Sequence, residues 1–119
     1  MGVDVQIPEE TLLTIRDLAK NTKFEVCGVI DSNYTIHTVK NVSNTPVTSF
    51  IFDKREYFSA IKQIMAEQKT ILCVFHTHPG GCHNPSKQDL EAYHRFKRNS
   101  LIVSATGYTW LEYTGDLNA

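Results

Sequence analysis

Two histidines separated by one residue, His76 and His78, close the apolar run Ile71-Leu72-Cys73-Val74-Phe75. Side chains on a strand alternate, so residues i and i+2 share a face, and both rings can offer a nitrogen to one ion. A catalytic zinc takes three protein ligands and keeps a fourth position for water. Asp89 is the third candidate. Gly80-Gly81 lets the chain fold back sharply, and Ser86 then opens a helix whose first turn contains Asp89. Hydrolysis at such a site also needs a proton carrier. Glu25 begins the apolar run Val26-Cys27-Gly28-Val29-Ile30, where a carboxylate is costly unless it is paired or useful. Gly28 permits close backbone approach beside it. Ser86 is an N-cap by residue type, and its hydroxyl can also meet a substrate.

These residues need elements to hold them. Pro8-Glu9-Glu10 is a helix start with acids at the positive dipole end, and Leu12, Ile15, Leu18 and Ala19 give that helix one apolar face to about Lys20. Val26–Ile30, the turn Asp31-Ser32-Asn33 and the alternating Tyr34–Val39 read as a hairpin. Asn41–Thr48 is a loop, and Ser49–Phe52 is expected to add a short strand. Asp53 caps a second helix, with Glu56 completing a box-like start and Tyr57, Phe58, Ile61, Ile64 and Met65 on the buried face. Ile71–Phe75 is apolar throughout, as in a central strand covered on both faces. The third helix carries Leu90, Tyr93 and Phe96, and a hairpin turning at Thr106-Gly107 closes the chain. The order α-β-β-β-α-β-α-β-β predicts an α/β fold, a mixed β-sheet with flanking helices. All 119 residues fit one domain, with 114–119 a flexible tail.

Composition narrows the classes. Apolar residues make up 41% and charged residues 21%, with a formal net charge of −1. That balance argues against a nucleic-acid partner, since Arg95, Lys97 and Arg98 fit the solvated end of a helix. The chain shows neither a signal-peptide pattern nor an apolar run long enough for a membrane span, so no membrane partner is expected. Cys27, Cys73 and Cys82 are an odd number without CxxC spacing, which suits reduced thiols and the cytoplasm. Cys27 and Cys73 fall in apolar runs and read as buried. His83 could be a fourth ligand in a resting state, whereas His37 and His94 read as surface residues.

A Glu followed by x-Cys-Gly, then H-x-H-P and S-x-x-D, resembles the motif of the JAMM (JAB/MPN+) zinc metalloprotease family. Here it reads Glu25, Cys27-Gly28, His76-Thr77-His78-Pro79, Ser86 and Asp89, without departure at any motif position. Asn41–Phe52 looks like the family's middle section, and the resemblance spans roughly Ile7 to Tyr113. It implies a JAB/MPN-like fold with cytidine-deaminase-like layering. It also implies one zinc per chain on His76, His78 and Asp89, with Glu25 and Ser86 catalytic: Glu25 as acid/base and Ser86 as donor to an oxyanion. The implied substrate is a protein or peptide, such as the C-terminal region of a ubiquitin-like protein.

The chain is minimal, as in prokaryotic or phage-type members. Pro79-Gly80-Gly81 also resembles phage tail assembly proteins, which would put the chain in a host cytoplasm or a virion. A competing class is the non-catalytic MPN scaffold, but every ligand position here is filled. A zinc deaminase would need H-x-E and P-C-x-x-C, and neither pattern occurs.

Overall fold

The computed structural model describes residues 7–113, so the tail expected at 114–119 lies outside the described residues. The element order is α1 (Glu9–Lys20), β1 (Cys27–Asp31), β2 (Ile36–Val39), α2 (Lys54–Ala66), β3 (Ile71–Thr77), α3 (Lys87–Phe96), β4 (Ser100–Ser104) and β5 (Gly107–Leu111). The five strands form one sheet in the order β2-β1-β3-β4-β5. Only β3 and β4 run parallel, and the other neighbours are antiparallel, so the sheet is mixed as expected.

Strand alternation divides the core between the two faces. Ile30, Cys73, Phe75, Leu101 and Val103 pack with Ile15 of α1, whereas Cys27, Val29, Val39 and Val74 pack with Ile64 of α2 and with Phe52. β3 is therefore covered on both sides, which explains its uninterrupted apolar sequence. His76 is even-numbered like Val74, so it points to the α2 face. Gly28 is required by this packing: a β-carbon there would collide with the His37 carbonyl oxygen and lie 2.7 Å from the Phe75 ring.

Several local expectations differ from the structure. Ser49–Phe52 forms no strand; it contributes one isolated bridge, between Asn41 and Phe52. The Asn41 side chain takes over the pairing there, accepting from Ile51 N at 3.0 Å and donating to the Ser49 and Glu25 carbonyls. Asp53 does cap α2, but Glu56 does not complete a box. Its carboxylate accepts from Lys40 N at 2.7 Å, tying α2 to the end of β2. Phe58 and Met65 are 59% and 68% exposed, because each sits one residue, about 100° of helix rotation, past the inward Tyr57 and Ile64. Leu90 is likewise exposed, and α3 buries Asp89 and Ala92 instead. His94 is exposed as expected, but His37 is not a surface residue. It pairs with the fully buried Asp31 at 2.9 Å.

Candidate metal centre

Three elements meet where β3 ends. His76 lies in β3 and His78 one residue beyond it, while Asp89 is the third residue of α3. Glu25 lies two residues before β1 rather than within it, in the loop beside the β3 exit. Each of the four side chains offers one ligand atom, and these atoms all lie within 4.8 Å of one another.

The geometry centres on Asp89. Its Oδ1 lies 3.0 Å from His76 Nε2 and its Oδ2 lies 2.9 Å from His78 Nε2, while the two Nε2 atoms are 3.3 Å apart. Asp89 is itself held by a reciprocal cap. Ser86 Oγ accepts from Asp89 N at 3.1 Å, and Ser86 N donates to Asp89 Oδ2 at 2.9 Å. The predicted cap is thus also the device that aims the carboxylate. His78 is oriented from its other side, where Nδ1–H donates to the Cys82 carbonyl at 2.9 Å. That bond keeps a proton on Nδ1 and makes Nε2, the nitrogen facing Asp89, the one that could ligate. The Cys82 thiol is exposed, and it is the backbone of this residue that meets the site. Phe50 stacks on the His76 ring at 4.5 Å between centroids, and His76 is nearly fully buried.

Glu25 differs from its neighbours. Its side chain is buried, and Oε1 finds no hydrogen-bond partner among the described residues. Its backbone is nonetheless firmly placed: Glu25 N donates to the Pro46 carbonyl at 2.7 Å, and its own carbonyl accepts from Asn41. Thr77, between the two histidines, completes the setting. Its Oγ1 accepts from Val26 N and its N donates to Val26 O, both at 2.9 Å. Sequence reasoning missed Thr77, Asn41 and Phe50. Thr77 was recoverable, because a residue between two same-face histidines must point the other way.

Electrostatics separate the two carboxylates. Burial pushes Glu25 up to about 7; His78 opposes the shift and Asp89 adds to it. Burial would also raise Asp89, but hydrogen bonds from His76 and His78 outweigh it and hold Asp89 far below the usual carboxylate range. Burial lowers His76, whereas the Asp89 hydrogen bond raises His78. Cys27 and Cys73, both buried as expected, have thiols pushed up to about 12 by burial and are inert at neutral pH.

The donor set fits zinc. Two imidazole nitrogens and one carboxylate converge, and an orphaned carboxylate oxygen lies beside them. His83, weighed above as a further ligand, is not in this group. Its Nδ1 lies 2.9 Å from Thr109 Oγ1.

Comparison with known proteins bears on the family and the fold. The family described as prokaryotic homologs of the JAB domain matches residues 8–114. A desampylase from Pyrococcus furiosus is 29% identical over 105 residues, covering 85% of this chain and 74% of its own. A solution structure of a protein from Desulfitobacterium hafniense superposes with a TM-score of 0.64 at 22% identity. It covers 87% of this chain and 84% of that one, and likeness at that identity bears on the fold alone.

Proposed function

Because the chain belongs to the prokaryotic homologs of the JAB domain, we propose that it is a zinc-dependent hydrolase of peptide or isopeptide bonds. The observation that carries this reading is the orphaned, buried Glu25 carboxylate beside a converging His-His-Asp set. His76 Nε2, His78 Nε2 and an Asp89 carboxylate oxygen would hold one zinc per chain. Bound there, zinc would supply Lewis acidity and lower the pKa of water toward about 7.

The remaining work falls to side chains of this chain. Glu25 accepts a proton from the attacking water at its free Oε1 and returns it to the leaving amine nitrogen. A carboxyl group whose pKa lies near neutrality can do both. Ser86 Oγ already accepts from Asp89 N, which leaves its own proton to donate to the developing oxyanion. Its capping role and its catalytic role are therefore compatible.

The substrate reading is a protein or peptide. A groove of about 500 Å³, lined mainly by Phe50, Ile51, Tyr57, Phe58 and Phe96, borders the His76 ring through Phe50. Its apolar lining offers a place for the side chains of such a substrate. Similarity to a desampylase favours a ubiquitin-like protein as the part cleaved from. The scaffold alternative has no support from a site in which all four positions are filled. The chain is read as one domain, since 8–114 contains every site residue. No described helix is long and apolar enough to cross a membrane, and three free cysteines favour a cytoplasmic setting. The Pro79-Gly80-Gly81 run, which suggested tail assembly, has a structural use here: the Gly81 carbonyl is bonded by Ser104 and Thr106.

Metal analysis and hydrolysis test this together. The purified chain should carry one zinc, and the double variant His76→Ala, His78→Ala should carry none. A ubiquitin-like protein with a C-terminal extension should be cleaved by the zinc form and spared after chelation. Cleavage that survives thorough chelation would end the metallohydrolase reading.

A further inference from the structure

The loop from Pro79 to Pro85 supplies the Cys82 carbonyl that orients His78, yet it contains two glycines and has no regular secondary structure. What keeps it in place is the β4–β5 hairpin, which grips the residues on both sides of Cys82. On one side, the Gly81 carbonyl accepts from Ser104 Oγ at 3.3 Å and from Thr106 Oγ1. On the other, Thr109 Oγ1 donates to the His83 carbonyl at 2.7 Å. A hydroxyl has one proton, and that bond uses it. The 2.9 Å contact with His83 Nδ1 must therefore run the other way, with the ring N–H donating to Thr109. One threonine thus closes both the backbone and the ring of His83.

Gly107 makes the fit depend on shape as well as hydrogen bonds. A β-carbon there would stand 2.9 Å from His83 Nε2 and 3.2 Å from Cδ2, closer than a ring edge tolerates. The turn that brings Thr106 to Gly81 also seats the imidazole over Gly107. Ser104, fully buried, ties the turn to itself by accepting from Thr106 N at 3.2 Å.

We propose that His83 is a positioning residue rather than a metal ligand. Clamped by Thr109 over Gly107, it holds the 79–85 loop so that the Cys82 carbonyl keeps His78 Nε2 aimed at the metal centre. The inference rests on the zinc reading above. It assigns a task to the β4–β5 hairpin, which contributes no residue to the metal cluster. The effect travels through one carbonyl, so it bears on how well the site is formed before any substrate arrives. Outer-shell partners of metal-bound histidines typically change metal affinity by about 10–100-fold when removed.

Zinc affinity, measured by chelator competition on the full chain, reads this directly and independently of turnover. Thr109→Val keeps the β-branched shape and removes the hydroxyl, so zinc should bind about 10–100-fold more weakly. Thr109→Ser keeps the hydroxyl and should restore wild-type affinity, which a merely structural loss would not do. Gly107→Ala should weaken binding in the same direction by displacing the ring. Circular dichroism shows whether each variant is folded at the assay temperature, and if Thr109→Val or Gly107→Ala is not, His83→Asn replaces it. Folded variants that bind zinc as tightly as wild type would overturn the positioning role. X-ray absorption that counted three imidazoles on the wild-type zinc would do so too, by making His83 a ligand. Wild-type protein that binds no zinc would instead remove the metal reading itself, and this proposal with it.

Discussion

One buried carboxylate ends β1 and another lies just before its start, and the two are treated in opposite ways. Asp31, its last residue, is fully buried and satisfied: its oxygens accept from His37 Nε2 and from the backbone N–H groups of Asn33 and Thr35. Burial alone would raise it, but these bonds prevail and hold it below the ordinary value of 3.8. Glu25, two residues before the strand, has a buried oxygen with no partner among the described residues and is pushed up to about 7. Asp31 is therefore a structural clasp for the β1–β2 turn, and Glu25 is a group kept under stress. The comparison teaches that burial does not mark a functional carboxylate. Burial without satisfaction, beside a convergent ligand set, is what nominates one.

The largest way to break the comparison is to neutralise Glu25. Glu25→Gln leaves the three proposed ligands intact, so zinc content should stay unchanged. Hydrolysis should fall by roughly 10²–10⁴-fold, as when a positioned acid/base is lost. Equal rates for the two proteins at equal zinc content would return Glu25 to the class of tolerated buried acids.

At the other end of β1, Asp31→Asn should leave the turnover of the folded protein near wild type and lower its stability. The loss should be about 1–3 kcal/mol at neutral pH, in the range for hydrogen bonds to a charged group. The sign follows from the depressed pKa. The stabilisation is fully present above the unfolded-state value and is lost as pH falls through the lower folded value. The gap in Tm between variant and wild type should therefore narrow as pH drops below about 4. A gap that widened on acidification would mean that the Asp31 charge is not what the turn uses.

The smallest effect belongs to Ser86, where the two kinds of role overlap. Ser86→Ala should cost about 1 kcal/mol through the lost cap. If its hydroxyl also meets the oxyanion, a rate loss should remain at temperatures where the variant is folded. A stability change alone would confine Ser86 to holding Asp89.

The candidate metal centre was more legible in sequence than the packing around it. His76 and His78 follow from strand alternation, and Asp89 from a cap signal at Ser86; both are local rules, and the structure brings the three side chains together. α1, with its helical period, and β3, with its uninterrupted apolar run, were legible from local pattern as well. The failures came where a side chain made a long-range choice. Glu56 serves Lys40 instead of its own helix, Asn41 replaces a strand pairing at 49–52, and His37 turns inward to meet Asp31. Phe58 and Met65 looked buried because an apolar residue at helical spacing carries no record of where the neighbouring surface ends. The clamp of Thr109 on His83 joins residues 26 positions apart, and no spacing rule announces it.

The central claim is that the fold keeps Glu25 buried and unsatisfied at a cost to its own stability. Thermal or denaturant unfolding of metal-free wild type and Glu25→Gln, at pH 8 and at pH 5, tests it most directly. The folded pKa of about 7 lies above the ordinary 4.5, so the metal-free fold is favoured at low pH and loses stability as pH rises between those values. Glu25→Gln should therefore be more stable than wild type at pH 8, by up to about 3 kcal/mol, with a smaller gain at pH 5. A variant less stable than wild type at pH 8 would contradict the claim, because it would show that the native carboxylate is satisfied where it stands.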